Sequence, residues 1–345
     1  MHMEKIKIAV IGAGTWGQTH VSIYNEHPLA EVTAICDKNK AAAEAAAAKL
    51  GVERVYTDYN EMLKYAPCDA VAIVTPDFLH ADISIACAKA GKHMLIEKPL
   101  ATTERDVFAM CEAIEKSGVR AMVDLHNRWN PPFNTAKQII STGKYGKPCS
   151  AYFRLNDRRW VATDMLSWTA RSSILWFLGS HSMDTLRWLS NDEPAEIFAM
   201  KHEGVLRDVG IDTVDCYQTA IRFRSGMIAQ MENSWIVPNG NGNINDMKFN
   251  MILERGKVDV DTSSHNMLEF SDDEKTIVPD VLVQNFVFGQ CKGFAYESIR
   301  SFVDCLATGD EFHVSLKDAA NTSLAILKIF ESVEKGKSVA VDNLI

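Results

Sequence analysis

A glycine-rich motif near the start of the chain has the spacing of a dinucleotide-binding turn. Its six residues separate an apolar run from a helix-length segment, and they are Gly12, Ala13, Gly14, Thr15, Trp16 and Gly17. In such a motif the first glycine allows a tight turn, the second lets a pyrophosphate approach the backbone, and the third lets the helix pack against the strand. N–H groups at the start of the helix then bind the phosphates. A glycine turn without a ligand is the alternative interpretation.

An acidic residue downstream of the motif discriminates between nucleotides. Asp37 ends the next apolar run, which begins at Glu31. An aspartate at the end of a second strand accepts hydrogen bonds from the adenosine ribose and repels a 2′-phosphate. The sequence therefore favours NAD over NADP as the cofactor. Lys38, directly after Asp37, keeps NADP as an alternative because a lysine can bind phosphate.

The tripeptide Glu97-Lys98-Pro99 supplies a candidate acid–base group. It directly follows the apolar run HMLI. Ligands of open α/β sheets bind outside the carboxyl ends of the strands, so Lys98 is expected to point toward a nicotinamide ring. Pro99 disfavours helical geometry at Lys98. A desolvated lysine near the nicotinamide cation has a lowered pKa and can exchange a proton with a hydroxyl. An exposed lysine before a helix-opening proline is the alternative.

The elements that position these residues follow from the order of apolar runs and helix formers. Up to about residue 125, strand-like runs such as Ala70–Val74 alternate with helical segments such as Lys40–Leu50, which Gly51 ends. This alternation predicts an N-terminal doubly wound parallel sheet of the Rossmann type. Runs of strands then predict an α+β domain with a large open, mostly antiparallel sheet. The predicted domains are 1–127 and 128–345.

Two strand candidates in the second domain bear on assembly. Val214–Phe223 and Met227–Trp235 carry apolar residues at positions of both parities. This pattern is typical of a sheet that is covered on both sides. We therefore expect the outer face of this sheet to be apolar and buried between subunits.

Composition and charge exclude several classes of protein. The 345 residues are 47% hydrophobic and 23% charged, and 36 basic against 45 acidic residues give a net charge of -9. Without a basic run, binding to nucleic acid is not expected. The sequence shows neither a membrane-spanning apolar stretch nor a signal-peptide layout, which predicts a cytoplasmic protein. The eight cysteines are scattered singly, so we expect reduced core thiols and no metal site.

Four segments together resemble the Gfo/Idh/MocA oxidoreductases, a family that includes glucose-fructose oxidoreductase and inositol dehydrogenases. The segments are VIGAGTWGQTH, Thr75 to Ala101, His126 to Pro131 and Gly179 to Leu189. The resemblance implies a Rossmann domain followed by a domain whose open sheet serves the substrate site and assembles dimers or tetramers. It also implies hydride transfer, with NAD or NADP, at a C–OH or C=O carbon of a sugar, polyol or inositol.

The resemblance assigns roles to residues at matching positions. Lys98 matches the catalytic lysine, with Glu97 beside it, and His181 matches the histidine of the pattern DxGxH. The aspartate of that pattern falls at Phe177, so the usual trio of lysine, aspartate and histidine is reduced to two members. Positions that match the cofactor-binding part of the family are Thr75, Pro76, His80 and Arg128.

Candidate substrate-binding residues lie mainly after a strand of the second domain. Forked hydrogen bonds from such polar residues suit hydroxyls or a carboxylate. The full set is Lys98, Arg154, Asn156, Trp160, His181 and Tyr296. An exposed loop is the alternative for the cluster from Arg154 to Trp160, and a core position is the alternative for His181 and Tyr296.

These observations predict an NAD-dependent dehydrogenase or reductase for a sugar, polyol or inositol-type substrate. One alternative is an NAD-dependent glycosidase of related fold that oxidises its substrate transiently. Another is a non-catalytic, dinucleotide-sensing regulator of the same fold, against which Lys98 argues. A homodimer or homotetramer is expected.

Overall fold

The computed structural model describes residues 4–263, 267–271, 273–274 and 276–345. The chain forms two compact units, each built from two separate stretches. The first unit comprises Met1–His126 and Gln284–Ala320, and the second comprises Asn127–Val283 and Asn321–Ile345.

The first unit contains a six-stranded parallel sheet. Its strands are β1 (Ile6–Ile11), β2 (Ala30–Cys36), β3 (Arg54–Tyr56), β4 (Ala70–Ile73), β5 (His93–Ile96) and β6 (Ala121–Val123). The helices between them are α1 (Thr15–Glu26), α2 (Lys40–Leu50), α3 (Tyr59–Tyr65), α4 (His80–Lys89) and α5 (Glu104–Ser117). The strand order β3-β2-β1-β4-β5-β6 is that of a Rossmann domain, which confirms the predicted fold class.

The second unit contains a seven-stranded mixed sheet. Its elements begin with α6 (Pro131–Ser141), β7 (Pro148–Arg158), α7 (Ser180–Ser190), β8 (Pro194–His202), β9 (Cys216–Phe223), β10 (Ile228–Val237), β11 (Asn245–Leu253) and β12 (Gly256–Asp261). A two-stranded pair, β13 (Phe270–Ser271) and β14 (Thr276–Ile277), follows. The sheet order is β12-β11-β7-β10-β9-β8 and then the C-terminal strand. Only β7 and β10 pair in parallel, so the mostly antiparallel sheet is confirmed.

The remaining elements explain why the units are interleaved. They are β15 (Asn285–Val287), β16 (Gln290–Lys292), α8 (Phe294–Thr308), α9 (Leu316–Lys335) and β17 (Val339–Ala340). Helix α8 packs against α1 and β1, which places it in the first unit. The continuous second domain expected over 128–345 therefore differs from the structure, although the break at His126 adjoins the expected boundary.

One face of the seven-stranded sheet forms the core of the second unit. Phe153 and Phe249 pack there on Phe133 of α6, at ring-centroid distances of 5.5 to 5.6 Å. On the opposite face the exposed residues of β9 and β10 include Arg222 and Gln230. The expected apolar outer face is therefore not observed: buried and exposed residues alternate, and the exposed positions are mixed in polarity.

Two further features bear on the expectations from composition: the length and polarity of the helices, and the burial of the cysteine thiols. Within the described ranges, no helix is both long enough and apolar enough to cross a membrane. All eight cysteines are free thiols, and six of them are buried. Cys149 is exposed and Cys216 is half-buried, so the prediction of core thiols fails for these two.

Candidate functional site

The glycine motif forms the turn between β1 and α1. A Cβ on Gly12, where φ is +110°, would lie 2.1 Å from the carbonyl oxygen of Val74, and one on Gly17 would lie 1.9 Å from that of Gly12. Neither position therefore accepts a side chain. A Cβ on Gly14 would meet nothing within 4 Å. The second glycine thus faces the open space that a pyrophosphate requires, at the N-terminus of a 12-residue helix.

Asp37 lies directly beyond β2 and contacts the glycine turn. Its Oδ2 accepts a hydrogen bond from the Ala13 N–H at 2.8 Å, and its Oδ1 accepts one from the Asn39 N–H, also at 2.8 Å. Each carboxylate oxygen has a second lone pair with which to accept a ribose hydroxyl. Lys38 is exposed beside it.

The loops after β4 and β5 are joined through His80. Its Nδ1 lies 2.7 Å from the Pro99 carbonyl oxygen and its Nε2 lies 3.0 Å from that of Thr75. His80 is fully buried, so it positions backbone rather than presenting its ring to a ligand. Pro76 and Lys98 are half-buried in these loops, and the Lys98–Pro99 peptide bond is cis.

Aromatic and acidic residues meet beside the glycine motif. The Trp16 indole donates to Glu97 Oε1 at 2.6 Å and stacks on Tyr296 at a centroid distance of 6.3 Å. Tyr296 is buried, and its hydroxyl donates to Gln284 Oε1 at 3.4 Å. The structure thus brings Trp16, Glu97 and Tyr296 together within the first unit. Sequence analysis gave no role to His20, whose Nε2 lies 2.9 Å from the same Glu97 oxygen.

His181 lies in the first turn of α7, in the second unit. It is buried, at 4% exposure. The backbone before it is a π-helical turn, Leu175–Gly179, and Gly179 itself is helical with φ of −60° and ψ of −30°. The backbone is therefore helical from Leu175 through Gly179 into α7.

Phe177 belongs to an aromatic cluster of the same unit. Its ring stacks on Trp235 at a centroid distance of 5.1 Å and makes an edge contact with Trp168 at 6.3 Å. The position where the family pattern has an aspartate is therefore surrounded by apolar rings. Phe177 itself is half-buried and packs against the core of the second unit.

Arg128 is held inside the second unit by a two-point ion pair. Its Nε lies 3.0 Å from Asp184 Oδ2, and its Nη2 lies 2.6 Å from Oδ1. Arg128 is 6% exposed and Asp184 is 0% exposed. Asp184 therefore pairs within the core, and the guanidinium predicted to contact the cofactor is engaged there.

Two predicted substrate-binding residues lie on the outer face of the sheet. Arg154 pairs with Asp246 at 2.9 Å, and Asn156 donates to Glu232 Oε1 at 2.6 Å. They alternate along β7 with residues that pack in the core with α7, so they face away from the helix that carries His181. Trp160, just beyond β7, is 41% exposed. The structure therefore does not bring Arg154 and Asn156 together with His181.

An asparagine that sequence analysis did not identify ties α7 to the sheet. Asn233 in β10 is buried, and its Nδ2 donates to the Leu155 carbonyl oxygen at 3.0 Å and to Ser182 Oγ at 3.1 Å. Ser182 follows His181 directly. One hydrogen bond from β10 thus ties the helix that carries the candidate histidine to the sheet.

Comparison with known families decides the classification. Residues 6–125 match the oxidoreductase family with an NAD-binding Rossmann fold, and residues 133–271 match the GFO/IDH/MocA C-terminal domain. The chain belongs to the GFO/IDH/MocA oxidoreductase family. The family resemblance stated from the sequence is confirmed.

Relatives in the GFO/IDH/MocA family match along the whole chain. The chain is 26% identical over 341 residues to the myo-inositol 2-dehydrogenase of Thermotoga maritima, covering 99% of this chain and 100% of that protein. It is 27% identical over 346 residues to the scyllo-inositol 2-dehydrogenase (NAD(+)) of Bacillus subtilis, covering 98% and 97%. The crystal structure of a probable dehydrogenase from Thermotoga maritima superposes with a TM-score of 0.84 at 26% identity, covering 99% and 100%.

Family membership makes the first unit the NAD-binding Rossmann domain of a nicotinamide-dependent dehydrogenase. The residues present fit the cofactor, since Gly14 leaves space for the pyrophosphate and Asp37 can accept ribose hydroxyls.

We expect NAD⁺ to bind at least about tenfold more tightly than NADP⁺, because Asp37 would face the 2′-phosphate as a like charge. Replacement of Asp37 by Ser should narrow this difference. Fluorescence titration with each nucleotide measures both dissociation constants. The exposed Lys40 of α2 gives a matched control, Lys40→Ala, which should keep the preference. Equal affinities in the unmodified protein would contradict the prediction and would point to Lys38 as a phosphate ligand.

Proposed function

We propose that this protein is an NAD-dependent dehydrogenase that oxidises a secondary hydroxyl of an inositol-type polyol or a sugar. The observation that carries the proposal is the position of Lys98, which follows β5 at the carboxyl edge of the same parallel sheet as the glycine motif. Ligands of open α/β sheets bind at this edge. The two inositol dehydrogenases that match the whole chain support this substrate class.

We assign the proton chemistry to Lys98 and the histidine of α7. Bound NAD⁺ supplies the hydride acceptor. Lys98 Nζ takes the proton of the substrate hydroxyl during oxidation and returns it during reduction. His181 is a second proton carrier, since an imidazole titrates near neutral pH. Phe177 and its ring neighbours make this part of the second unit apolar.

A panel of inositols, hexoses and sugar acids tests the proposed function. NADH formation from NAD⁺ should be observed with at least one cyclic polyol or sugar. If no compound is oxidised although NAD⁺ binds, the protein is a dinucleotide-sensing regulator instead. If the cofactor never exchanges but glycosides are cleaved, the enzyme is a glycosidase that oxidises its substrate transiently.

We also propose that the outer face of the seven-stranded sheet joins subunits into a homodimer or homotetramer. Met200, Ile228 and Ile252 are 59%, 56% and 44% exposed on this face. Exposed apolar side chains on this face, interspersed with polar residues such as Arg222 and Gln230, favour association.

Light scattering should give a mass of at least two 38.4 kDa chains at micromolar concentration. The double variant Ile228→Lys with Ile252→Lys should shift this mass toward one chain. Val209→Lys is the matched control because Val209 is 55% exposed but lies outside the sheet. A single-chain mass for the unmodified protein would contradict the proposed assembly.

A further inference from the structure

Three titratable side chains from different elements meet in the interior of the first unit. His20 of α1 and Asp124 are fully buried, and Glu97 is 7% exposed. Their polar atoms lie within 4.8 Å of one another, which is also a spacing suited to a cation. Glu97 Oε1 already accepts hydrogen bonds from Trp16 and His20, so its contacts do not require a cation. Two carboxyl groups this close in a buried site do not both ionise.

Two donors in this cluster favour a charge on Glu97. The Trp16 indole donates to Glu97 Oε1 at 2.6 Å. His20 Nε2 lies 2.9 Å from the same oxygen, and it must donate because a carboxylate oxygen only accepts. The other ring nitrogen, Nδ1, lies 3.3 Å from the Tyr24 hydroxyl, from which it can accept. His20 is thus oriented at both nitrogens.

The pKa values of the two carboxyl groups are shifted in opposite directions. Burial raises the pKa of Glu97, but the hydrogen bond from His20 and the interactions with His20, Lys98 and His126 outweigh it, so this pKa lies below its usual value. Burial also raises the pKa of Asp124, and the charge of Glu97 raises it further. Interactions with His126 and Ser298 lower the pKa of Asp124 but do not outweigh these two effects. The opposite shifts favour the negative charge on Glu97 over Asp124.

The charged carboxylate is next in sequence to the proposed proton carrier. Glu97 directly precedes Lys98, and through Trp16 it is bonded to the glycine motif. A fixed anion at this place favours a cation bound nearby over a neutral molecule of the same shape. Oxidised nicotinamide is such a cation, whereas the reduced ring is neutral.

We propose that His20 is a positioning residue that holds Glu97 as an anion, and that this anion makes the site prefer NAD⁺ to NADH. The inference rests on the proposed placement of the nicotinamide near Lys98. Its test measures nucleotide binding and requires no polyol, so the inference can fail independently of the proposed polyol oxidation.

The test is the ratio of the dissociation constants of NADH and NAD⁺, measured by calorimetric titration. Glu97→Gln removes the charge with little change of shape, and it should lower the ratio of NADH Kd to NAD⁺ Kd about tenfold. His20→Leu should change the ratio in the same direction. His20→Gln keeps an N–H donor and should stay within about threefold of the unmodified protein.

A buried histidine at the other end of α1 provides the matched control. His27 pairs with Asp304 at 3.1 Å, and His27→Leu should leave the ratio unchanged although it removes a buried contact. An unchanged ratio in Glu97→Gln overturns the proposal even if His20→Leu fails to fold. If His20→Gln and His20→Leu lower the ratio of NADH Kd to NAD⁺ Kd equally, the role of His20 as a donor is also overturned. A changed ratio without polyol turnover would support this inference while rejecting the proposed substrate class.

Discussion

Replacement of Lys98 by Met should lower kcat by about 10²–10⁴, the range for a positioned acid–base group, and should leave NAD⁺ affinity nearly unchanged. Methionine has a similar length but cannot exchange a proton. Lys98 follows β5 in a half-buried loop, whereas the glycine turn and Asp37 provide the predicted contacts to the adenosine half of the cofactor. Steady-state kinetics and nucleotide titration separate the two effects.

The control for this variant is another lysine of the first unit. Lys89 is exposed in the last turn of α4, and Lys89→Met should keep both kcat and affinity. A loss of less than about tenfold in Lys98→Met would mean that another group moves the proton. A large loss of NAD⁺ affinity would mean that Lys98 binds the cofactor instead.

Replacement of His181 by Ala should reduce kcat by a comparable factor, about 10²-fold or more. Phe177 stands where the family pattern has an aspartate, so no carboxylate at that position can take over proton transfer. Because His181 is 4% exposed, thermal unfolding must show that the variant is folded at the assay temperature. His202, whose side chain is 64% exposed, gives the control His202→Ala.

Retention of more than about a third of the kcat in His181→Ala corresponds to a barrier change below about 1 kcal/mol. That result would make His181 a packing residue of α7. Asp157, which is fully buried in β7, and then Tyr296 would be the next candidates for the second acid–base group.

The Rossmann part of the fold could be predicted because its signals are local. Lys40–Leu50 was predicted with the bounds that the structure shows, since Asn39 caps the start of the helix and Gly51 ends it in left-handed geometry. The parallel strands could be predicted because they are buried on both faces of the sheet, so each appears in the sequence as a continuous apolar run. The positions of the glycine motif and Asp37 after the first and second strands could be predicted because both belong to one strand–turn–helix–strand unit, and the structure shows them in contact.

What could not be predicted depends on contacts between distant residues. His20 and Glu97 are 77 positions apart, and no local pattern shows that they share a hydrogen bond. The outward direction of Arg154 follows from the register of β7, which residue type does not reveal. The cytoplasmic location and the roles assigned to Lys98, His181 and Arg128 stay predictions.

The interleaved order of the two units has a consequence for synthesis of the protein. Trp16 and the first five strands leave the ribosome early, but Tyr296, which stacks on Trp16, lies in Gln284–Ala320 near the other end of the chain. Helix α1 therefore meets its partner α8 only after six of the seven strands of the second sheet, β7 to β12, have been made. The first unit is completed only after residues 127–283 of the second unit have been made. Until then the face of α1 that α8 covers is the surface on which a nascent chain would need protection from aggregation.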